Sequence, residues 1–345
     1  MEKVKIAIAG LGRSGWNIHA HLISQLPEKY EIIAVSDPDE NRRKQAEGKF
    51  GCKSYEKFED MLDNDEIEVV VVATPSHLHS SYSISALKKG KNVICEKPMA
   101  TNLEDADKMI EVAKKEGKIL TIFHNRRYSP DFLKVKEVID TGVLGRIVLI
   151  KMMWHSFGRR WDWQTLKKYG GGTLNNTGPH PVDQALQFFG EKEDPEIFCH
   201  MERTLTLGDA DDHVKIIFKG KISPMIDLEI TSCCCYPEEP YLIMGTRGGL
   251  KGNYTKLQWK YFKPEKLPER KVQTQPTPDR SYNSEEIPWE KEEIWELPQN
   301  QPEYQLNFYI DLYETLKKGK PLKITPESAR RVMWAIEKCH KIAGF

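Results

Sequence analysis

The chain has 345 residues, 39% of them hydrophobic and 30% charged, and its 51 Lys and Arg balance 51 Asp and Glu. Zero net charge supplies no broad basic field for nucleic acid or an anionic membrane, and no apolar run approaches the ~20 residues a membrane helix needs. The length suits two domains of ordinary size, and a start that runs from Met1 into a strand without an apolar leader points to the cytoplasm.

Val4 to Ala9 alternates apolar and small residues as a short buried strand does. Gly10-Leu11-Gly12-Arg13-Ser14-Gly15 then spells G-x-G-x-x-G ahead of a helical run with Ile18, Leu22 and Leu26 on one face. In that order the first glycine makes a tight turn, the second admits a pyrophosphate against the backbone, and the third lets helix and strand pack closely. The helix start offers free N–H groups to the phosphates. Gly10, Gly12, Arg13, Ser14 and Gly15 are therefore candidate cofactor residues. Asp37 closes a second strand, Glu31 to Ser36, at about the distance where an acid takes the adenosine ribose hydroxyls. A turn acid before Pro38 is the plainer reading of it. Arg42 and Arg43 read as surface charges of the next helix, so NAD is expected, with NADP left open.

A third short strand lies near Cys52 to Tyr55, and Val69 to Ala73 is a β-branched run suited to a strand covered on both faces. Ligands of open parallel sheets sit at the carboxyl ends of strands. Thr74, Pro75 and His79, in the loop that follows, are therefore cofactor candidates, although His77 and His79 also suit a helix start. The fifth strand, Asn92 to Glu96, delivers Glu96 and Lys97 to the same crevice ahead of Pro98. Both are cofactor-site candidates. A helical stripe from Leu103 to Ala113 and a sixth strand, Ile119 to Phe123, complete one nucleotide-binding domain over 1–123.

Residues 124–345 change character. A helix from Pro130 to Thr141 precedes long strands such as Ile147 to Trp154 and His213 to Phe218. Ile226, Leu228 and Ile230 alternate with Asp227, Glu229 and Thr231, so one strand face is apolar. A large, open-faced, mainly antiparallel sheet with helices on one face follows. The fold class is α/β followed by α+β. Phe262 to Gln301 reads as loops and edge strands, with a strand near Ile294 to Leu297. Two helices close the chain, and packing back on the first domain is open to them. The seven cysteines include Cys233-Cys234-Cys235, but neighbours on a strand point to opposite faces and no C-x-x-C pair exists. No metal site is expected, and buried reduced thiols are.

Gly170-Gly171-Gly172 leads into Asn175-Asn176-Thr177-Gly178-Pro179-His180-Pro181-Val182-Asp183. Helical spacing from Val182 to Phe189 puts Pro181 near the first helical position and His180 at the exposed helix start. Asn176, His180 and Asp183 are thereby expected to cluster, with the acid tuning a histidine suited to proton transfer. Ordinary capping by Asp183 is the alternative. Trp161, within Arg159-Arg160-Trp161-Asp162-Trp163, suits either a sugar-binding lip or a loop anchored by its tryptophans.

The ordered set G-x-G-x-x-G, Glu96-Lys97-Pro98 and Gly170-Gly171-Gly172…His180-x-x-Asp183 resembles the Gfo/Idh/MocA family over essentially the whole chain. Ala73-Thr74-Pro75 and Asn125-Arg126-Arg127-Tyr128 are also similar to it. The resemblance implies a Rossmann domain followed by an open-faced sheet domain, NAD or NADP, sugar or cyclitol substrates, and homodimers or homotetramers through the open sheet face. It implies that Lys97 and His180 are the catalytic pair, with Asp183 beside the substrate, and makes Asn176, Arg127 and Trp161 substrate-binding candidates. Family dehydrogenases usually carry aspartate four residues before the histidine, where this chain has Asn176. A hydride-transferring dehydrogenase is the leading expectation, and a non-catalytic NAD(P)(H)-binding sensor on the same scaffold is the alternative.

Overall fold

The computed structural model describes residues 2–345. The first part alternates β1 (Val4–Ala9), α1 (His21–Ser24), β2 (Tyr30–Ser36), α2 (Glu40–Phe50), β3 (Lys53–Tyr55), α3 (Phe58–Leu62), β4 (Val69–Val72), α4 (His79–Lys88), β5 (Asn92–Cys95), α5 (Leu103–Glu116) and β6 (Leu120–Ile122). The six strands pair in parallel in the order β3-β2-β1-β4-β5-β6. Strand order reverses between β1 and β4, which opens a crevice at their carboxyl ends. Period-two alternation explains why every residue of β4 is buried. Val69 and Val71 join Ile6 and Ile8 in one core, and Val70 and Val72 join Ala7 and Ala9 in another across the sheet.

The second part contains α6 (Pro130–Asp140), β7 (Ile147–His155), α7 (Thr173–Asn176), α8 (Pro179–Phe189), β8 (Glu196–Glu202), β9 (His213–Lys219), β10 (Met225–Thr231), β11 (Tyr241–Gly245), β12 (Gly248–Gly252), β13 (Lys256–Tyr261), β14 (Glu293–Glu296), α9 (Leu306–Lys318) and α10 (Pro326–Ala343). Among the described residues β7 to β14 form one sheet, ordered β14-β13-β12-β11-β7-β10-β9-β8. It is antiparallel except where β10 meets β7. Val214, Ile216, Phe218, Ile226 and Leu228 are fully buried against Val182, Ala185, Leu186 and Phe189 of α8. The opposite face is polar and open: Lys215 reaches Asp227 at 2.5 Å and Glu229 at 3.1 Å, and His155 lies 3.2 Å from Glu229.

The two closing helices hold the halves together. Leu306, Phe308, Tyr309, Leu312 and Tyr313 of α9 pack into the β1 core. On α10, Ala329 and Met333 join the other core of the parallel sheet, and Val332, Ala335, Ile336 and Cys339 join the core of the second sheet.

Two readings of the sequence are corrected here, and one short helix goes unread in it. α8 starts at Pro179, two residues earlier than the Pro181 start, because Pro179 rather than Pro181 takes the first-turn position that needs no N–H. The short α7 before it has only four residues, too few for a periodic signal. It is set by Asp211, whose carboxylate accepts the Leu174 N–H at 2.8 Å and whose carbonyl accepts that of Thr173 at 2.9 Å. Gly172, at φ 111°, stands where a Cβ would meet that carboxylate at 2.0 Å. Finally, Cys52, Cys95, Cys199 and Cys339 are buried thiols, but Cys235 is exposed because the Cys233–Cys235 stretch lies beyond the end of β10.

Candidate active site

The glycine turn is built as the motif requires. Gly10 has φ +88°, and a Cβ there would lie 2.7 Å from the Ala73 carbonyl oxygen of the neighbouring strand. A Cβ on Gly15 would lie 1.8 Å from the Gly10 carbonyl oxygen, so the helix packs on the turn only without a side chain. A Cβ on Gly12 would meet nothing within 4 Å, which leaves open space over the backbone where a pyrophosphate fits. Arg13 beside it is exposed and makes no ion pair among the described residues. Asp37 is buried, its carboxylate accepting the N–H of Leu11 at 2.7 Å and of Asp39 at 2.9 Å. That locks the glycine loop to the end of β2 and leaves acceptor capacity for ribose hydroxyls. Arg42 is a surface charge as expected and Arg43 is half-buried, and both reach Asp37. Arg42 lies 3.6 Å from the Asp37 carboxylate, and Arg43 donates to the Asp37 carbonyl at 2.8 Å, because the first turn of α2 folds back over Asp37.

Glu96 ties this turn to Lys97. One carboxylate oxygen accepts the Ser14 hydroxyl and faces His19 Nε2 at 3.2 Å, and the other accepts the Lys97 N–H at 3.0 Å. Burial pushes the Glu96 carboxyl up. The His19 hydrogen bond and charge, the Lys97 charge and the Ser14 hydroxyl outweigh it and hold the group well below the usual carboxylate range. A carboxylate only accepts, so His19 Nε2 carries the proton there, and the other ring nitrogen lies 2.6 Å from the Tyr309 hydroxyl of α9. The Gly15–Ala20 segment is π-helical, and its wider turn buries His19 fully. The Lys97–Pro98 bond is cis.

Lys97 Nζ crosses the cleft and donates to the Asn176 carbonyl at 2.9 Å. Burial lowers its pKa. Glu96 opposes the shift, and the Arg13 and Arg126 charges reinforce it. His180 Nδ1 is buried without a hydrogen-bond partner. Burial holds His180 well below the usual histidine range, and the charges of Lys97, His124 and Arg126 push the same way. His180 is therefore neutral at neutral pH. Asp183 does not tune it: that acid pairs elsewhere. Around the pair, His124 Nδ1, Asn125 Oδ1 and Thr74 Oγ1 are buried polar atoms without partners, the condition of a site that expects a polar ligand. His124 is pushed down to about 4 by burial, with Asp183 opposing and Arg127 and Lys97 adding to the shift. Asn176 Oδ1 accepts from Gln164 Nε2 at 3.1 Å, which orients the amide.

Several expected residues take other roles. His79 is buried, with Nδ1 2.7 Å from the Pro98 carbonyl and Nε2 2.9 Å from the Thr74 carbonyl. It staples the two loops and has no nitrogen left for a cofactor. Trp161 is 76% exposed. Arg127 and Asp183 pair through contacts of 2.8, 3.1 and 2.5 Å, and Arg127 Nη2 also donates to Ser328 Oγ at 3.1 Å. Both are inside the protein, so they join the 125–128 turn to α8 instead of offering free groups to a substrate. His19, His124, Gln164 and Tyr309 complete the site and were not singled out, because nothing in their local sequence distinguishes them from core or loop residues. Arg127→Ala would strand the buried Asp183 carboxylate, at a cost of roughly 3–5 kcal/mol. Chemical denaturation should show that loss, and Arg127→Lys should restore only part of it, since lysine lacks the two-pronged geometry. Unchanged stability would return Arg127 to the substrate-binding set.

Comparison with known proteins agrees with this geometry. Residues 4–124 match the family model described as "Oxidoreductase family, NAD-binding Rossmann fold", and residues 132–251 match "GFO/IDH/MocA C-terminal domain". An oxidoreductase of Schizosaccharomyces pombe, C115.03, is 31% identical over 258 residues, 72% of this chain and 70% of that one. The Bacillus subtilis protein named scyllo-inositol 2-dehydrogenase (NADP(+)) IolW is 29% identical over 239 residues, 65% of this chain and 64% of that one. The solved NAD-binding protein from Listeria innocua superposes with a TM-score of 0.83 at 25% identity, covering 100% of this chain and 98% of that one. A glycine cradle fitted to a dinucleotide, a lysine at the end of the fifth strand and both matched domain models lead to one conclusion: the chain belongs to the Gfo/Idh/MocA oxidoreductase family.

Proposed function

We propose that the protein transfers a hydride between NAD(H) and a secondary alcohol of a sugar, sugar derivative or cyclitol. The observation that carries this reading is Lys97 Nζ, held 2.9 Å from the Asn176 carbonyl next to the unpartnered ring of His180, in the crevice the glycine turn faces. A bound nicotinamide supplies the hydride acceptor or donor. The chain supplies position and a place for the proton. Neutral His180 accepts the hydroxyl proton at a ring nitrogen as the alcohol is oxidised, and the Lys97 ammonium hydrogen-bonds the oxygen as negative charge develops on it. Asn176 cannot ionise. Its Nδ2, which makes no hydrogen bond within the described residues, holds a substrate hydroxyl. Asn176 also favours a second reading, a non-catalytic sensor of NAD(P)(H). Absorbance of NADH over a panel of sugars and cyclitols separates the two, because binding without turnover across the panel supports the sensor.

Lys97→Met should lower kcat by about 10²–10³-fold, the usual worth of one donor to a developing oxyanion, with NADH affinity preserved in a fluorescence titration. Near-normal kcat removes Lys97 from the chemistry.

Asp37, buried and negative at the ribose position, favours NAD by accepting from the ribose hydroxyls and repelling a 2′-phosphate. Its partial neutralisation by Arg42 at 3.6 Å limits that preference. Higher kcat/KM with NAD than with NADP is expected, and Asp37→Ser should narrow the ratio. A wild-type preference for NADP reverses the assignment.

The acidic limb of kcat/KM reports His180. Its pKa lies well below the histidine range, so the limb falls below that range too. Asn176→Asp places an anion beside the Lys97 contact. An anion favours the protonated form of a neighbouring base and raises its pKa, so the limb should move to higher pH with activity retained. An unmoved limb uncouples position 176 from His180.

A further inference from the structure

Beyond the proton-handling pair, the cleft holds a cation, Arg126, that makes no ion pair among the described residues. Arg126 follows β6 in the turn 125–128. Its backbone carbonyl accepts from Gln184 Nε2 of α8 at 3.1 Å, one helical turn beyond His180. Its neighbour Arg127 is neutralised by Asp183. The Arg126 guanidinium makes no hydrogen bond and no ion pair among the described residues, and it lies over the Trp154 ring, 5.1 Å from the centroid. Tyr254 meets Trp154 edge-on at 6.2 Å. The hydroxyls of Tyr254 and Tyr304 have no partner among the described residues, and the Arg126 charge opposes the rise that burial imposes on each phenol. Asp131, an acid that the Arg126 charge reaches without forming an ion pair, spends an oxygen on the Tyr241 hydroxyl at 2.8 Å. The adjacent Asn125 Oδ1 and, on α8, Gln184 Oε1 are buried acceptors without donors.

Proteins seldom leave a half-buried guanidinium unpaired, because its desolvation is not repaid. The ring beneath fixes the plane of the group, and a planar fork held in that way matches a carboxylate. The geometry points to Arg126 as the specificity residue for a carboxylate on the substrate, so that the substrate is an acidic sugar of the uronic or aldonic type. Trp154 and Tyr254 wall the carboxylate, and Asn125 and Gln184 take hydroxyl protons from the ring. This deepens the function proposed above and rests on it for the placing of the sugar beside Lys97. The other unpaired arginine, Arg13, belongs to the glycine turn, so the single guanidinium over Trp154 suits a single negative charge better than a phosphate dianion.

The test is calorimetric titration of the NADH complex with matched pairs, D-glucuronate against D-glucose and D-galacturonate against D-galactose, and with D-glucose 6-phosphate. At least one acid should bind about tenfold or more tightly than its neutral twin. Arg126→Gln should weaken that acid by about 10–100-fold and leave the neutral twin unchanged, and Arg126→Lys should retain part of the preference. Equal binding of acid and neutral sugar, tighter binding of the phosphate, no binding by any member, or equal weakening of both twins in Arg126→Gln each overturns the inference. Because binding is read without turnover, a preferred acid that neither forms NADH when offered with NAD nor consumes NADH when offered with the reduced cofactor sinks the hydride-transfer reading alone.

Discussion

The structure depends on one buried charge. Glu96 carries its negative charge into a region where an unpaired carboxylate would cost several kcal/mol. It is tolerated because three groups partner it: the Ser14 hydroxyl and the His19 imidazole from the segment after the glycine turn, and the backbone N–H of Lys97. His19 extends the network to Tyr309, almost the whole chain away in sequence. The same carboxylate therefore ties together the helical segment after the glycine turn, the strand end that presents Lys97, and the seat of α9 on the parallel sheet. A displacement of any one would leave an unsatisfied buried polar group in the others. That coupling makes the geometry between glycine turn and lysine stiff.

How much of this was legible in the sequence follows from the range of each interaction. Gly10, Gly12 and Gly15 announce themselves because the turn acts within six residues, and the structure builds it as the spacing requires. The buried valine run of β4 and the alternation in β10 were equally readable, since period two is a local signal. Helix α8 was readable in its body and misread at its start. Two prolines two residues apart both suit a first turn, and only the packing beneath selects Pro179. Side-chain roles were less legible. His79 looks like a ligand until its two nitrogens are seen between two carbonyls, and Asp183 looks like a proton partner until Arg127 is seen to occupy both its oxygens. His19 and Tyr309 meet only because α9 returns to the first sheet, which no local pattern records.

The net charge of zero hides an uneven distribution. Acids and bases cancel across the surface in many exposed pairs of small individual worth. In the cleft the cations outnumber their partners. Arg13 and Arg126 have none within the described residues, and Lys97 shares Glu96 with His19. Their mutual repulsion, added to burial, depresses Lys97 and His180 together, so the site is positive where anionic ligand groups would sit and still holds a neutral imidazole. A surface with balanced charge but a positive crevice draws anions to one place without attracting polyanions in general.

Such a crevice works only if its walls stay in place, and α10 is why they do. The helix has one broad apolar face, and that face is divided between two cores. Ala329 and Met333 complete a core of the parallel sheet, while Val332, Ala335, Ile336 and Cys339 complete the core of the second sheet. The two halves are thus not separate bodies joined by a polar contact, the arrangement that permits hinge motion. Opening the cleft by rotating one half would expose one or other part of that face of α10, at ~25 cal/mol for each Å² of apolar surface returned to water. Lys97 comes from one half and Asn176 with His180 from the other. The 2.9 Å contact between Lys97 and the Asn176 carbonyl is therefore held by apolar packing well away from it, and ligand entry has to be accommodated by the loops around the crevice while the two sheets keep their relation.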